Sequence, residues 1–270
     1  MTSERRQDLL AGSPVFTRQE YLSAYQAQAD RSPRTADSLL TRHAAAGKVL
    51  RVRGGVYATV PAGATPETFQ VDPFLLATKL ADDATVAYHA ALQFRGKAYS
   101  VWHRFTVLTR THVRPLSFQG NEFVPVRPPR SLARLSDLGG GILTEPHAGG
   151  TVRVTSFERT LVDVLDAPEL GGGWEEIWRS LEMVEYFDLD AVVSYALKLD
   201  SALTTARVGF FLEQHRDGLF VEERHLAPLR SHAPRQPIYL DRKRESGRLM
   251  KPWNLVVPDR VLKREWAEVA

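Results

Sequence analysis

Apolar positions in the first sixty residues change period twice, and each change marks an element. Tyr21, Leu22 and Tyr25 follow Pro14-Val15-Phe16 at helical spacing. Thr17 with Glu20 three residues later has capping-box spacing, which predicts a helix over 17–27. A polar break at 28–31 leads to Ser32-Pro33, an N-cap followed by proline at the first helical position. Ala36, Leu39, Leu40 and His43 or Ala44 continue a second helix, and Gly47 is its natural stop. Two β-type runs come next, Val49-Leu50-Arg51-Val52 and Val56-Tyr57-Ala58-Thr59-Val60, with Arg53-Gly54-Gly55 between them as a tight hairpin signal. Helix, turn, helix and hairpin in this order predict a winged helix-turn-helix.

The pattern beyond residue 60 is different. Pro61-Ala62-Gly63-Ala64-Thr65-Pro66 has linker composition and places a boundary between a domain at 1–62 and a larger one at 67–270. Helices are expected from Asp72-Pro73 to Leu80 and over Tyr88 to Phe94. Strands are expected at Arg104 to Thr109, onward to about 127, and around a Gly149-Gly150 turn. From Ser156 the period becomes helical again, with helices near 157–165, 174–184, 188–199, 203–215 and 222–230. Ile238-Tyr239-Leu240 and Leu255-Val256-Val257 read as strands returning to the sheet. The expected class is α+β: the N-terminal winged helix followed by a mixed α/β C-terminal domain.

Composition adds constraints. The chain of 270 residues has no cysteine, which removes disulfides, thiolate chemistry and cysteine-held metals, leaving only His and carboxylates as ligands. No apolar run approaches the roughly 18 residues of a membrane span, and the N-terminus does not read as a secretion signal, so a cytoplasmic location without membrane association is expected. The formal charge of +3 is unevenly spread: residues 1–60 hold nine Lys/Arg against five acids, a net of +4, and the rest carries −1. A basic excess confined to one end suits a polyanion-binding module, because each neutralised phosphate releases counterions.

Double-stranded DNA is therefore the expected partner of the N-terminal domain. The second helix would present Arg34, Thr35, Ser38, Thr41 and Arg42 to the major groove, with Arg31 and Lys48 at its ends. Arg51 and Arg53 on the wing would reach the flanking backbone or minor groove. The competing reading is a small helical module with solvated arginines.

Signals for catalysis are thin. The eight histidines are scattered, and no His-Glu-x-x-His, Gly-x-Ser-x-Gly or Gly-x-Gly-x-x-Gly pattern occurs, so neither metal nor cofactor is expected. Arg159 and Asp163 stand four apart and can pair across a helical turn. Gly171-Gly172-Gly173 before Trp174 could cradle phosphate, but no Lys-Ser/Thr follows it. Asp241-Arg242-Lys243 after an apolar strand resembles half of a metal-dependent nuclease core; Asp217, Glu222 and Glu223 are upstream acids without a strand context. The run from Arg242 to Lys251, with Arg242, Lys243, Arg244, Arg248 and Lys251 against Glu245, is either a solvated loop or a contact for an acidic partner or for DNA.

Several segments together resemble a known family. Thr155-Ser156-Phe157-Glu158-Arg159-Thr160-Leu161-Val162-Asp163-Val164-Leu165-Asp166, followed by Pro168-Glu169-Leu170-Gly171-Gly172-Gly173-Trp174, is similar to the central signature of the AbiEi antitoxins of type IV toxin–antitoxin systems. Arg53-Gly54-Gly55-Val56-Tyr57, Tyr88-His89-Ala90-Ala91-Leu92-Gln93, Gly209-Phe210-Phe211-Leu212-Glu213, Tyr239-Leu240-Asp241, Gly247-Arg248 and Trp253-Asn254-Leu255-Val256-Val257-Pro258 follow in matching order. The resemblance implies a non-enzymatic, bifunctional protein. Its winged helix represses its own promoter at inverted repeats occupied by more than one copy, and its C-terminal domain counters a co-encoded nucleotidyltransferase-like toxin. A stand-alone regulator without a toxin is the alternative, and a metal-dependent nuclease is a further one.

Overall fold

The computed structural model describes residues 13–29, 32–133 and 135–266. Its contacts divide the chain into two compact units, one from Met1–Val86, His103–Val126 and Thr144–Val154, the other from Ala87–Trp102, Arg127–Leu143 and Thr155–Ala270. This partition does not follow the linker at 61–66, because the strands of the largest sheet group with the N-terminal elements.

The first unit opens with β1 (Val15–Thr17), α1 (Arg18–Ala29), α2 (Pro33–Ala45), β2 (Val49–Arg53) and β3 (Val56–Thr59). The capping box at the start of α1 forms in both directions: Thr17 N–H donates to Glu20 Oε2 at 2.7 Å and Glu20 N–H to Thr17 Oγ1 at 3.1 Å. Proline does occupy the first turn of α2, but the Ser32 side chain caps nothing and meets Thr35 Oγ1 at 3.1 Å instead. Gly47, at φ +67°, adopts the left-handed conformation that ends the helix. Pro14-Val15-Phe16, expected to be a lead-in, supplies a strand: β1 pairs antiparallel with β3, and β3 with β2.

The unit continues with α3 (Pro73–Thr78), β4 (Thr85–Val86), β5 (Arg104–Leu108), β6 (Leu116–Phe118), β7 (Asn121–Val126) and most of β8 (Ile142–His147) and β9 (Gly150–Thr155), whose Ile142, Leu143 and Thr155 are counted with the other unit. Asp72 caps α3 by accepting from the Phe74 and Leu75 amides, both at 2.9 Å. The six strands form one mixed sheet in the order β6-β7-β5-β4-β9-β8.

The second unit holds α4 (His89–Phe94), α5 (Phe157–Asp166), α6 (Trp174–Glu182), α7 (Leu189–Lys198), α8 (Ala202–Gln214), α9 (Glu223–Ser231), β10 (Ile238–Tyr239), β11 (Gly247–Met250), β12 (Leu255–Pro258) and α10 (Asp259–Leu262). The late strands do not return to the large sheet. They form their own three-stranded sheet, β10-β12-β11, in which β11 arises from the stretch expected to be a loop.

Two buried polar constellations organise this unit. Arg159 is 1% exposed and reaches Asp163 at 3.2 Å, the Leu138 carbonyl at 3.0 Å and the Gly140 carbonyl at 2.6 Å. Tyr195 donates to the other Asp163 oxygen at 2.7 Å. Burial pushes the Asp163 carboxyl up, against the opposing pull of the Arg159 guanidinium and the Tyr195 hydroxyl. In the second constellation Glu176 accepts from the Ser100 amide at 2.8 Å and lies 2.9 Å from His89 Nε2. Close packing holds a further point: a Cβ on Gly209 would stand 2.1 Å from the Trp253 ring, and Trp253 donates to Glu213 one turn along α8 at 2.7 Å.

Replacing Arg159 with Met leaves Asp163 buried without its countercharge, and should cost about 3–5 kcal/mol in urea unfolding; a loss below about 1 kcal/mol would show that the pair is dispensable. Burial raises the Glu176 carboxyl, but hydrogen bonds from His89 and Ser100 outweigh it and hold the pKa at about 2, against 4.5 unperturbed. Because the folded value is the lower one, the stabilisation is present above about pH 4.5 and disappears as pH falls toward about 2. Glu176→Gln should accordingly flatten the acid limb of a stability–pH profile by about 3 kcal/mol; an unchanged limb would contradict the assignment.

Candidate nucleic-acid interface

The outward face of α2 follows from what its inward face buries. Ala36 and Leu40 enter a cluster with Phe16, Tyr21, Tyr25 and Val49, against which Leu22, Leu39 and Tyr57 pack. Phe16 stacks on Tyr21 and on Tyr57, with centroids 5.8 and 5.9 Å apart. At 3.6 residues per turn, Arg34, Thr35, Ser38, Thr41 and Arg42 then share the opposite side, and all five are exposed.

These side chains differ in what they can offer. Ser38 and Thr41 donate their hydroxyl protons to the Arg34 and Asp37 carbonyls one turn back, both at 2.9 Å. Their oxygens remain acceptors, while their donors are engaged until the rotors turn. Among the described residues Arg42 makes a long 3.4 Å contact, through Nε, to the Ser38 carbonyl. Among the described residues no carboxylate lies within ion-pair reach of Arg34, Arg42, Lys48 or Arg51. The acid beside this face, Asp37, is gripped at both oxygens by Arg18, with Arg18 Nε at 2.7 Å from Oδ1. That hydrogen bond holds the Asp37 carboxyl below its usual range and keeps its charge countered. Sequence reasoning missed Arg18; its only signal was a basic residue in the first turn of α1.

The hairpin separates its two arginines. The ladder slips between Arg51 and Arg53, and Arg51 is exposed. Arg53 donates instead to the Leu80 carbonyl at 2.8 Å, and burial lowers its pKa. Lys48 is exposed after α2. Arg31 lies outside the described residues.

A second concentration of charge lies in the other unit. The carboxyl end of α5, the start of α6 and the segment after β10 line a cleft of about 650 Å³, bordered by Asp166, Trp174, Arg207, Asp241, Arg242 and Lys243 among others. Arg207 is committed to structure: Nε donates to the Leu240 carbonyl at 2.8 Å and Nη1 to the Leu165 and Asp166 carbonyls at 2.9 and 2.8 Å. Burial draws its pKa down to about 10. Asp241 accepts from the Trp174 indole at 3.2 Å and from the Lys243 amide at 2.9 Å. The acids brought near Asp241 are Asp166 and Glu169, not the expected Asp217, Glu222 or Glu223. Glu223 pairs with Arg216 and Arg230 instead. Among the described residues no group of three or more His, Asp or Glu side chains could hold a metal ion.

Of the five cations in the 242–251 run, Arg242 and Lys243 border the cleft, while Arg248 lies on β11. Lys251 follows that strand, and all five, Arg244 included, are exposed.

These elements define a mixed α+β protein with a helix–helix–hairpin at its amino end, and no described helix is long and apolar enough to cross a membrane. Neither a family model nor a curated protein matches the chain. Among solved structures it is similar to the crystal structure of the RV2827C protein from Mycobacterium tuberculosis, with a TM-score of 0.53 and 17% sequence identity over 96% of this chain and 92% of that one. At that identity the likeness is one of fold.

Proposed function

We propose that residues 15–59 form a winged helix-turn-helix that binds double-stranded DNA, and that the protein represses its own promoter. One observation carries this reading: α2 buries Ala36 and Leu40 while exposing Arg34, Thr35, Ser38, Thr41 and Arg42 along a single side, with the adjacent Asp37 paired to Arg18. A helix of this kind fits the major groove, where arginine forks read guanine and hydroxyls take bases or phosphates. Arg51 serves the flanking backbone. Arg53 contributes less, since its guanidinium already serves Leu80. We further propose that the protein acts as an antitoxin against a co-encoded nucleotidyltransferase-like toxin, a reading supported by the order of sequence segments from Arg53 to Pro258.

Gel shift of the full-length protein on its own upstream DNA tests the first part. Arg34→Ala and Arg42→Ala should each cost roughly 1–3 kcal/mol and relax base preference, whereas Arg51→Ala should lower the salt slope by about one. Arg53→Ala should change that slope less than Arg51→Ala. Negligible effects at Arg34, Arg42 and Arg51 alike would remove α2 from the groove.

Co-expression with the adjacent gene product tests the second part. Growth arrest by that product alone, relieved by this protein even when Arg34 and Arg42 are both alanine, is the expected outcome. Arrest that persists beside the wild-type protein would end the antitoxin reading and leave a regulator.

A further inference from the structure

Arg18 serves two elements at once. Its backbone amide donates to the Gly55 carbonyl at 2.7 Å, which anchors the start of α1 at the turn of the hairpin. Its side chain crosses to α2 and takes Asp37 as a fork, with Nε on Oδ1 at 2.7 Å and Nη2 on Oδ2 at 2.5 Å. Paired contacts of this kind fix direction as well as distance. The two side chains are 49% and 38% exposed, so the pair adds little to folding.

Asp37 occupies a sensitive place on α2. It follows Arg34 by three residues and precedes Thr41 by four, and side chains at those spacings are neighbours on a helix. A carboxylate there has a choice of cation, Arg18 from α1 or Arg34 from its own turn. In the structure Arg18 holds both oxygens, and among the described residues Arg34 has no carboxylate partner. The pairing across to α1 thus leaves the Arg34 guanidinium open to solvent.

We propose that Arg18 is a positioning residue for DNA binding: by taking Asp37 it keeps Arg34 available to the duplex and counters a carboxylate that would otherwise stand bare beside the phosphates. The proposal rests on the DNA-binding reading above and adds to it a residue outside the recognition helix. Without Arg18, Asp37 turns to Arg34 along the helix and sets an uncompensated negative charge next to a polyanion. Both effects weaken the complex. Arg18 acts through Asp37 and needs no contact of its own with DNA, so removing the Asp37 charge undoes the loss.

The test is gel shift of the full-length protein on its own upstream DNA over a range of salt, with Arg18→Met, Asp37→Asn and the two combined. Arg18→Met should weaken binding about fivefold or more, Asp37→Asn should not weaken it, and the combination should return to within about twofold of wild type. Arg18→Lys, which keeps the charge without the fork, should fall in between. Melting curves establish that each variant folds, and Arg18→Gln replaces Arg18→Met if that variant does not. A purely structural brace between the helices would make Asp37→Asn as damaging as Arg18→Met and leave the combination unrescued. A direct phosphate contact by Arg18 would leave the combination weak, with a salt slope lower by about one. Either result overturns the proposal, as does undiminished affinity in Arg18→Met. A wild type that shifts its own DNA but is indifferent to Arg18 leaves the DNA-binding reading standing, whereas a wild type that shifts none ends both.

Discussion

Helix α2 has little freedom in how it presents itself. Its thirteen residues hold two fully buried side chains, Ala36 and Leu40, and the aromatic cluster of Phe16, Tyr21 and Tyr25 receives both. Truncating a buried leucine such as Leu40 costs about 2–5 kcal/mol, far more than any solvated arginine contributes to folding. Rotating α2 by half a turn would therefore expose Leu40 and bury Arg34 or Arg42 without a partner. The polar ridge faces outward because the opposite orientation is too costly, whatever it goes on to bind. The pairing of Asp37 with Arg18 acts in the same direction, countering a negative charge beside that side of the helix.

The second unit relies on another device. Arg159 and Arg207 are both buried, and each spends its donors mainly on backbone carbonyls that no helix or strand satisfies: Leu138 and Gly140 for one, Leu165, Asp166 and Leu240 for the other. A guanidinium has five N–H donors in a rigid fork, so one side chain can fasten chain segments far apart in sequence. Arg159 joins the 138–140 turn to α5, and Arg207 joins the end of α5 to the small terminal sheet. The Tyr195 ring stacks under the first at 5.0 Å and the Trp174 ring under the second at 5.3 Å. The segments that resemble the AbiEi signature supply much of this framework, including Arg159, Asp163, Trp174, Gly209, Trp253 and Asp241. Their pattern therefore has a structural origin, and an acid and a base on one helix need no reaction to explain them.

What could be read from the sequence was local. The capping box of Thr17 and Glu20, the glycine stop at Gly47, the hairpin at Gly54-Gly55 and the Arg159–Asp163 pair depend on residues within four positions of each other, and each formed as spaced. Long-range partners were not legible. Three residues of β1 carry no alternation worth reading, and their identity as a strand comes from β3, forty positions later. Arg53 looked like a free wing-tip cation because Leu80 is 27 residues away. Ile238-Tyr239 has the composition of any strand, and nothing local says whether it joins a six-stranded sheet or a separate one. The acids that share a cleft with Asp241 were missed for the same reason: Asp166 and Glu169 come to it only through the fold.

Two exposed regions, the outward side of α2 and the row across the terminal sheet, also differ chemically. On α2 the arginines stand among hydroxyls, and among the described residues that helix carries no large exposed apolar side chain; any contact with such a surface would rest on charge and hydrogen bonds and weaken as salt is added. On the terminal sheet Tyr239 and Leu249 are each 40% exposed on either side of Val256, and any contact there would draw on burial of apolar area, which added salt does not screen. A charged partner gains from the first region, and an apolar one from the second.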